Sequence, residues 1–424
     1  MPTATLTSRR SFLKGAVALG GLAAVPGLAA CGSGASSSTT VSFGSNQSDP
    51  VPKKAYAAFV KDFEKKSGLS VSVNTVDHET FQNQINNYLQ GTPDDVFTWF
   101  AGFRMNFFAT KGLATPIDDV WKKIGGDFTP ALKQSATADD GHQYFIPFDY
   151  YPWAVFYKKS LWQKNGYQVP KTFDEYIALA KQMQSDGLEP LGFADKQGWP
   201  AMGTFDILNM RLNGYDFHVS LMRGKESWTD KRVKNVFDTW RGTLPYHQQN
   251  ALGRDWEESA QGMQQDKVGM MLIGMFIGQQ FADNLDDLDF FAFPELDPSH
   301  GQDSLDAPTD GFMMSKSPRN EDGAKKFLTY LAGTRAEETY LKADASVIGA
   351  NSNIDTSGYN SLQKKAVDLI TSAKNTAQYM DRDTRPDFAQ TVMIQALQTF
   401  IRNPKDVDGL TKQIEAQKQQ IFGA

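Results

Sequence analysis

Short apolar runs alternate with segments of helical periodicity in the part of the chain that begins at residue 41. The apolar runs read as strands at residues 41–43, 69–73 and 96–99. Between them, apolar side chains recur every three or four residues, which is the spacing of a helix with one buried face. This β-α-β-α-β order predicts a parallel sheet, because successive strands joined by a helix normally run in the same direction.

A second α/β unit begins after Pro147. Residues 153–157 read as a strand, and Thr172 with Glu175 has the spacing of a capping box that starts a helix. Another strand is predicted at residues 268–273. A chain of 424 residues exceeds what one hydrophobic core usually holds. The predicted fold class is therefore α/β with two lobes, each a mainly parallel sheet flanked by helices.

The N-terminal residues have the features of an export signal. Arg9 and Arg10 precede an apolar run at residues 15–30, the order that the twin-arginine export machinery reads. This run is shorter than the roughly 20 residues that a membrane-spanning helix needs. Cys31 follows it in a context that resembles the lipobox of bacterial lipoproteins. We predict a signal peptide at residues 1–30 and a lipid anchor on Cys31.

The segment at residues 31–40 is predicted to be a flexible tether, since it contains no large side chain after the cysteine. Cys31 is the only cysteine in the chain, so it can form no internal disulfide. The alternative for Cys31 is a chance small-residue cleavage site. With the anchor, the protein is expected at the extracytoplasmic face of the cell membrane.

The charge of the chain restricts its partners. Removal of residues 1–30 takes away three basic residues and no acid, so the formal net charge falls from −6 to −9. An acidic body argues against nucleic-acid binding and against electrostatic attachment to anionic lipid. We therefore expect a neutral ligand.

The sequence contains no clear catalytic or metal-binding motif. His78 and Glu79 lack the second histidine of an HExxH motif, because position 82 is Gln82. The remaining histidines are scattered, so no metal and no cofactor are predicted. Adjacent acids read as turn and cap residues rather than as the acid pair of a glycosidase; they are Asp94-Asp95, Asp139-Asp140 and Glu257-Glu258. The chain is predicted not to be an enzyme.

Polar and aromatic residues occur where predicted strands end. An open parallel sheet binds its ligand beyond the carboxyl ends of its strands. Sugar rings stack their apolar faces on aromatic side chains, while their hydroxyls need polar partners. Suitable side chains at strand ends or in loops are Asn46, Asp77, His78, Trp99, Phe100, Arg104, Tyr150, Tyr151, Trp153, Trp199 and Phe276. This set favours a carbohydrate ligand.

Several motifs have the order and spacing of a known family. They are Gly91-Thr92-Pro93-Asp94-Asp95-Val96-Phe97, Gly112-Leu113 with Pro116-Ile117, Tyr157-Lys158-Lys159-Ser160-Leu161, Pro170-Lys171-Thr172-Phe173-Asp174-Glu175, Gly198-Trp199-Pro200, Gly274 and Asp310-Gly311-Phe312. In these features the sequence resembles the family 1 extracellular solute-binding proteins of ABC importers, the maltose-binding type. The resemblance covers nearly all of the chain after the signal.

The resemblance implies the type II periplasmic-binding-protein fold, in which two lobes close over a ligand. The implied first lobe comprises residues 41–149 plus about 307–350, and the second comprises residues 150–306 plus about 351–424. By this resemblance the protein is a monomeric sugar-binding component that captures a mono- or oligosaccharide by hinge closure. It would then deliver the sugar to the permease subunits of an ABC transporter.

The resemblance also implies ligand-binding positions. They are Trp99, Arg104, Tyr150, Tyr151, Trp199, Phe276, Asp310 and Arg382, and the strand-end rule adds Asn46 and Phe100. Tyr150 and Tyr151 cannot both face the ligand if their segment is extended, and the sequence does not decide between them. Phe276 stands where the family usually has tryptophan. For Arg382 the alternative is a salt-bridged helix cap at residues 381–383.

Two other functions stay open from the sequence. A secreted glycoside hydrolase would share an aromatic cleft but would need a paired acid and nucleophile. A binding protein for a peptide, metal or polyamine would share the fold, although the few metal-ligand candidates argue against a metal.

Overall fold

The computed structural model describes residues 39–423. The predicted signal peptide, Cys31 and nearly all of the tether lie outside these residues. Within them, no helix combines the length and the apolar character that crossing a membrane requires.

Strands and helices alternate along most of the described chain. The strands are β1 (Thr40–Ser45), β2 (Ser70–Thr75), β3 (Val96–Phe100), β4 (Phe145–Tyr150), β5 (Trp153–Lys158), β6 (Glu189–Gly192), β7 (Val268–Gly274), β8 (Leu288–Phe291), β9 (Ser304–Asp306), β10 (Thr309–Met314), β11 (Ile348–Gly349) and β12 (Asn375–Ala377). The α-helices are α1 (Pro50–Ser67), α2 (His78–Gln90), α3 (Phe103–Thr110), α4 (Asp118–Ile124), α5 (Pro130–Ser135), α6 (Lys159–Asn165), α7 (Phe173–Ser185), α8 (Pro200–Met222), α9 (Lys231–Thr243), α10 (Trp256–Gln264), α11 (Glu321–Leu331), α12 (Thr334–Leu341), α13 (Ser361–Ser372), α14 (Met380–Asp383), α15 (Pro386–Phe388), α16 (Ile394–Arg402) and α17 (Val407–Phe422).

The first lobe is built on a six-stranded sheet in the order β11-β4-β10-β3-β1-β2. Strands β1, β2 and β3 run parallel, as the alternation of strands and helices predicts. Strand β10 lies antiparallel between β3 and β4, and β11 is antiparallel to β4. The sheet is therefore mixed and not mainly parallel. The physical reason is that β10 enters from the other lobe, so no helical crossover fixes its direction.

The second lobe is built on a four-stranded sheet in the order β6-β7-β5-β8. Here β6 and β7 are parallel, whereas β5 is antiparallel to both β7 and β8. This sheet is mixed as well, so the prediction of mainly parallel sheets is wrong for both lobes. The predicted α/β fold with two lobes is confirmed.

Local sequence accounts for the start and end of many helices. Helix α1 begins with proline, whose fixed φ suits a first helical turn, and ends at Gly68 in the left-handed conformation. Helix α7 begins with the predicted capping box. The Thr172 hydroxyl accepts from the backbone N–H of Glu175, and the Glu175 carboxylate accepts from the backbone N–H of Thr172.

An aromatic cluster forms the core of the first lobe beneath α1. The ring centroids of Tyr56 and Phe59 on α1 are 4.7 Å apart, and those of Phe148 and Phe312 on the sheet are 5.0 Å apart. Tyr56 also packs on Phe43 of β1, with centroids 6.0 Å apart. Such ring pairs add to the stabilisation that burial itself supplies, and they fix the position of the sheet whose strand ends border the cleft.

Three segments connect the lobes. The first joins β4 to β5, and the second joins β9 to β10. The third contains β12, which pairs in parallel with β9 so that Asn375 lies opposite Ser304 and Ala377 opposite Asp306. The two-stranded β9–β12 sheet thus forms the base of the connection between the lobes.

Candidate functional site

A cavity of about 730 Å³ lies between the two lobes. Its first-lobe wall comes from the segment after β1, the start of α2 and the end of β3. Its second-lobe wall comes from the start of β5 and from the segments that begin α8 and α10. The strand-end rule for α/β sheets therefore locates this site on the first lobe.

The second lobe supplies a wall of aromatic rings. Trp153 lies at the centre of this wall, with its ring centroid 4.9 Å from that of Tyr379 and 6.2 Å from that of Trp199. Phe276 is 5.9 Å from Trp199 and 5.1 Å from Trp256, again between centroids. These rings present flat apolar surfaces and N–H or O–H groups at one side of the cavity.

Gly274 allows Phe276 to take this position. A Cβ atom on Gly274 would lie 2.4 Å from the Phe276 ring and 2.9 Å from the Tyr151 ring. Only glycine leaves space for both rings against the backbone at the end of β7.

Two buried ion pairs also line the cavity. Arg104 of α3 lies 3.1 Å from Asp381, and Arg382 of α14 lies 2.8 Å from Asp310 of β10. The Arg382 guanidinium also stacks over Phe100, 4.3 Å from its ring centroid. Because these charges are desolvated, each is held by its partner, and the pairs bring α3, β10 and α14 together.

The N–H groups of the Arg104 guanidinium are not all paired within the described residues. Its Nη1 donates to Gln82 at 2.7 Å, whereas its Nε has no partner among the described residues. Burial lowers the pKa of Arg104, and the neighbouring Asp381 opposes that effect. The guanidinium thus stays charged in the lining of the cavity.

Carboxyl groups from both lobes meet at another side of the cavity. Trp199 of the second lobe donates through Nε1 to Glu79 of the first lobe at 3.0 Å. Burial raises the pKa of Glu79 and of Asp49. Burial also raises the pKa of Glu257 to about 7, and the carboxylates of Asp49, Asp255 and Glu79 add to that shift. Closure of the lobes therefore brings like charges together.

Most of the residues predicted from the sequence lie together here. Those that line the cavity are Phe100, Arg104, Tyr151, Trp199, Phe276, Asp310 and Arg382. The structure also decides between the two adjacent tyrosines. Tyr151 lines the cavity, whereas Tyr150 ends β4 opposite Ile348 of β11 and does not line it.

Trp99 and Asn46 do not line the cavity either, which corrects their predicted place. Trp99 is 1% exposed in the first-lobe core, where its Nε1 donates to the Arg104 backbone carbonyl. Successive residues of a strand point to opposite faces, so only Phe100 of the Trp99-Phe100 pair reaches the cavity. Asn46 is 1% exposed, and its backbone N–H donates to Thr98.

Some lining residues were missed by the sequence prediction. Glu79, Gln82, Trp256 and Glu257 all line the cavity. Glu79 and Gln82 lie in the first turns of α2, directly after β2, so the strand-end rule could have found them. Trp256 and Glu257 begin α10, and only the folding of the second lobe brings that helix to the cleft.

A cavity between two α/β lobes that is lined by aromatic rings and by paired charges defines a bilobal solute receptor. The chain belongs to the bacterial extracellular solute-binding proteins, whose family model matches residues 47–338.

Similar proteins agree with this class. A solved structure of the bacterial solute receptor AcbH, described as having an exclusive substrate preference for b-D-galactopyranose, is 48% identical with a TM-score of 0.89 and covers 90% of this chain and 99% of its own. The alpha-glucosides-binding periplasmic protein AglE of Rhizobium meliloti is 24% identical over 75% of this chain and 73% of its own. The ABC transporter extracellular-binding protein PH1214 of Pyrococcus horikoshii is 24% identical over 76% of this chain and 74% of its own.

Proposed function

We propose that this protein is the sugar-binding receptor of an ABC-type importer and that it takes one neutral pyranose of the galactose type. The observation that carries the proposal is that an aromatic wall and two buried Arg–Asp pairs line one cleft between the lobes. The wall suits the apolar face of a sugar ring, and the charged groups suit its hydroxyls. The similarity to AcbH supports a monosaccharide of this type.

The charge of the cavity supports an uncharged guest. Among the described residues that line it, nine are Asp or Glu and three are Lys or Arg. An excess of carboxylates repels sugar phosphates and uronic acids. Of the predicted residues in the cavity, Trp199 and Phe276 would stack on the sugar ring. Arg104, Asp310 and Arg382 would form hydrogen bonds with its hydroxyls.

Capture would proceed by closure of the lobes, because the ring wall and the start of α2 lie on different lobes. A ligand moves an open–closed equilibrium from 1:99 to 99:1 with roughly 5.5 kcal/mol of preferential binding to the closed form. Stacking and charge-assisted hydrogen bonds completed only on closure would supply this preference.

Calorimetric titration with a sugar panel tests the proposal. We expect saturable binding of D-galactose and no binding of D-galacturonate. Preferential binding of an oligosaccharide or of the uronate would contradict it. Release of the chromophore from aryl galactosides would instead favour a glycoside hydrolase, and a thermal shift with peptides or polyamines would favour another solute.

Export and anchoring are also part of the proposal. A twin-arginine signal at residues 1–30 and acylation of Cys31 would hold a monomeric receptor beside its permease at the outer face of the cell membrane. Full-length protein expressed in a bacterial host should be membrane-associated, and Cys31→Ser should release it. Equal membrane association of both forms would exclude the lipid anchor.

A further inference from the structure

Three fully buried polar side chains converge at the base of the second lobe, outside the lining of the sugar cavity. Asp206 and His218 belong to α8, and Asp306 ends β9 in the connection between the lobes. One ligand atom from each lies within 4.8 Å of those of the other two. We name these three residues the hinge cluster.

A break in α8 creates the hinge cluster. Residues 12 positions apart in a straight helix are separated by about 18 Å along its axis, yet His218 Nε2 lies 3.9 Å from Asp206 Oδ1. Gly214, with φ 78° and ψ 167°, reverses the chain between them. The His300 ring packs against Gly214, because a Cβ atom at this position would lie 2.8 Å from that ring. The reversal therefore needs glycine for space as well as for its backbone conformation.

Several polar atoms of the hinge cluster have no hydrogen-bond partner in the part of the chain that the structure describes. They are both carboxylate oxygens of Asp306, Asp206 Oδ1 and His218 Nε2. Arg211 lies nearby, but it donates to the backbone carbonyls of Phe293 and Ser304. Burial raises the pKa of both aspartates, and the charge of Asp306 raises that of Asp206 further. The charge of Arg211 lowers the pKa of Asp306, but among the described residues it donates no hydrogen bond to that carboxylate, so the oxygens of the cluster are left open to a second positive partner.

We propose that the hinge cluster binds one divalent transition-metal ion, with Zn²⁺ as the best fit. One imidazole nitrogen and two carboxylates are a donor set that Zn²⁺ accepts. Ligand atoms around a tetrahedral ion with bonds of roughly 2.0–2.2 Å lie about 3.5 Å apart, so the three atoms must move closer together by about an ångström to bind one ion.

The surroundings of the histidine fit this role. Its Nδ1 lies 3.1 Å from the side-chain amide of Asn209, which in turn contacts the amide of Asn213 at 2.8 Å. In the structure the Asn209 nitrogen faces Nδ1. Turning the amides of Asn209 and Asn213 would put the Asn209 oxygen on Nδ1–H and leave the Nε2 lone pair for the cluster, with loss of the 3.4 Å hydrogen bond from Asn213 to the Arg232 carbonyl. Such a partner on the second nitrogen is what orients metal-binding histidines.

A bound ion would join the elements on which the lobes pivot. Asp206 Oδ2 accepts from the backbone N–H of Met380, the first residue of α14. The ion would thereby connect α8, β9 and, through Asp206, the segment that carries Arg382. Its effect would be on the stability of the second lobe and its connection, and it would not touch the sugar.

Metal titration of refolded protein tests the site. Protein unfolded in guanidinium with EDTA and refolded without metal should bind one Zn²⁺ per chain and melt at a higher temperature with it. His218→Gln should weaken Zn²⁺ binding at least tenfold. His247→Gln is the matched control, because His247 is a half-buried histidine of this lobe outside the cluster, and this variant should bind Zn²⁺ as the wild type does.

Two results of the Zn²⁺ titration would contradict the proposal. If the wild type binds no Zn²⁺ after refolding, or binds it with unchanged affinity after His218→Gln, the proposal is wrong. The Asp306→Asn variant is a second test. If the cluster binds a metal, this variant loses the Zn²⁺-dependent rise in melting temperature. If protons alone neutralise the cluster, the Asp306→Asn substitution stabilises the protein, and neither the wild type nor any variant responds to Zn²⁺.

Discussion

The side chains of the cleft divide into rings that shape it and charges that select its guest. Asp310 illustrates the second group, because its carboxylate holds Arg382 at 2.8 Å and also lies 3.5 Å from the Tyr151 hydroxyl, which donates to it. One residue thus orders a cation and a tyrosine of the cavity.

Asp310→Asn should weaken galactose binding about 10- to 100-fold, because a hydrogen bond to a charged group contributes roughly 1.5–3 kcal/mol. Calorimetry gives the dissociation constant. Asp303→Asn is the control, since Asp303 is exposed and pairs at 3.7 Å with exposed Lys374. Equal affinities for both variants would show that the pair at Asp310 does not serve the ligand.

Glu257 should make sugar binding depend on pH. Its pKa rises from 4.5 to about 7 through burial and the carboxylates of Asp49, Asp255 and Glu79. A raised carboxyl pKa means that the closed form binds the proton more tightly, so closure is favoured below about pH 7 and disfavoured above it. Galactose affinity should therefore fall by about two- to fivefold between pH 5.5 and 8, since solvent screens this partly exposed group. In Glu257→Gln the profile should be flatter, and an unchanged profile would count against this role.

Among the elements, α8 departs most from regular geometry. It begins at the cleft with Pro200, reverses at Gly214 and packs against α9 and β9. An interior glycine with positive φ is a position where other residues are strained. Helix α8 therefore links the sugar cavity to the base of the lobe connection.

Gly214→Ala should destabilise the protein by about 1–3 kcal/mol, because alanine is strained at positive φ and its Cβ meets the His300 ring. Gly242→Ala in α9 is the control, since a Cβ there meets nothing within 4 Å. It should be neutral or stabilise by up to about 1 kcal/mol. Urea unfolding followed by tryptophan fluorescence measures both, and equal stabilities would refute the argument from backbone strain.

At the scale of the whole molecule, polar contacts join the two lobes across the cleft. The Trp199–Glu79 hydrogen bond at 3.0 Å spans it, while the connecting strands lie at its base. Contacts of this kind can be broken and remade without disturbing either core. The lobes should therefore move as rigid bodies.

Saturating galactose should reduce the radius of gyration in small-angle X-ray scattering, because the sugar favours the closed form. Asp310→Asn at a sugar concentration that saturates only the wild type should keep the larger value. An identical radius with and without bound sugar would exclude closure as the capture step.

The sequence alone determined the local elements and the general place of the site. Helical periodicity and the Thr172 capping box are encoded by residues a few positions apart, so they can be read without the fold. Phe100, Arg104, Trp199 and Arg382 were found because loops after predicted strands border the cleft and because the family resemblance points to them. The family was predicted from the order and spacing of motifs, which can be read from the sequence directly.

Only the tertiary structure decided the mixed sheets, the buried place of Trp99 and the meeting of Asp206 with Asp306. Each depends on contacts between residues far apart in the chain, and a local pattern does not specify such contacts. Periodicity indicates that a side chain is buried, but it does not indicate which residues that side chain packs against. The choice between core and cleft is made by the packing of one lobe on the other.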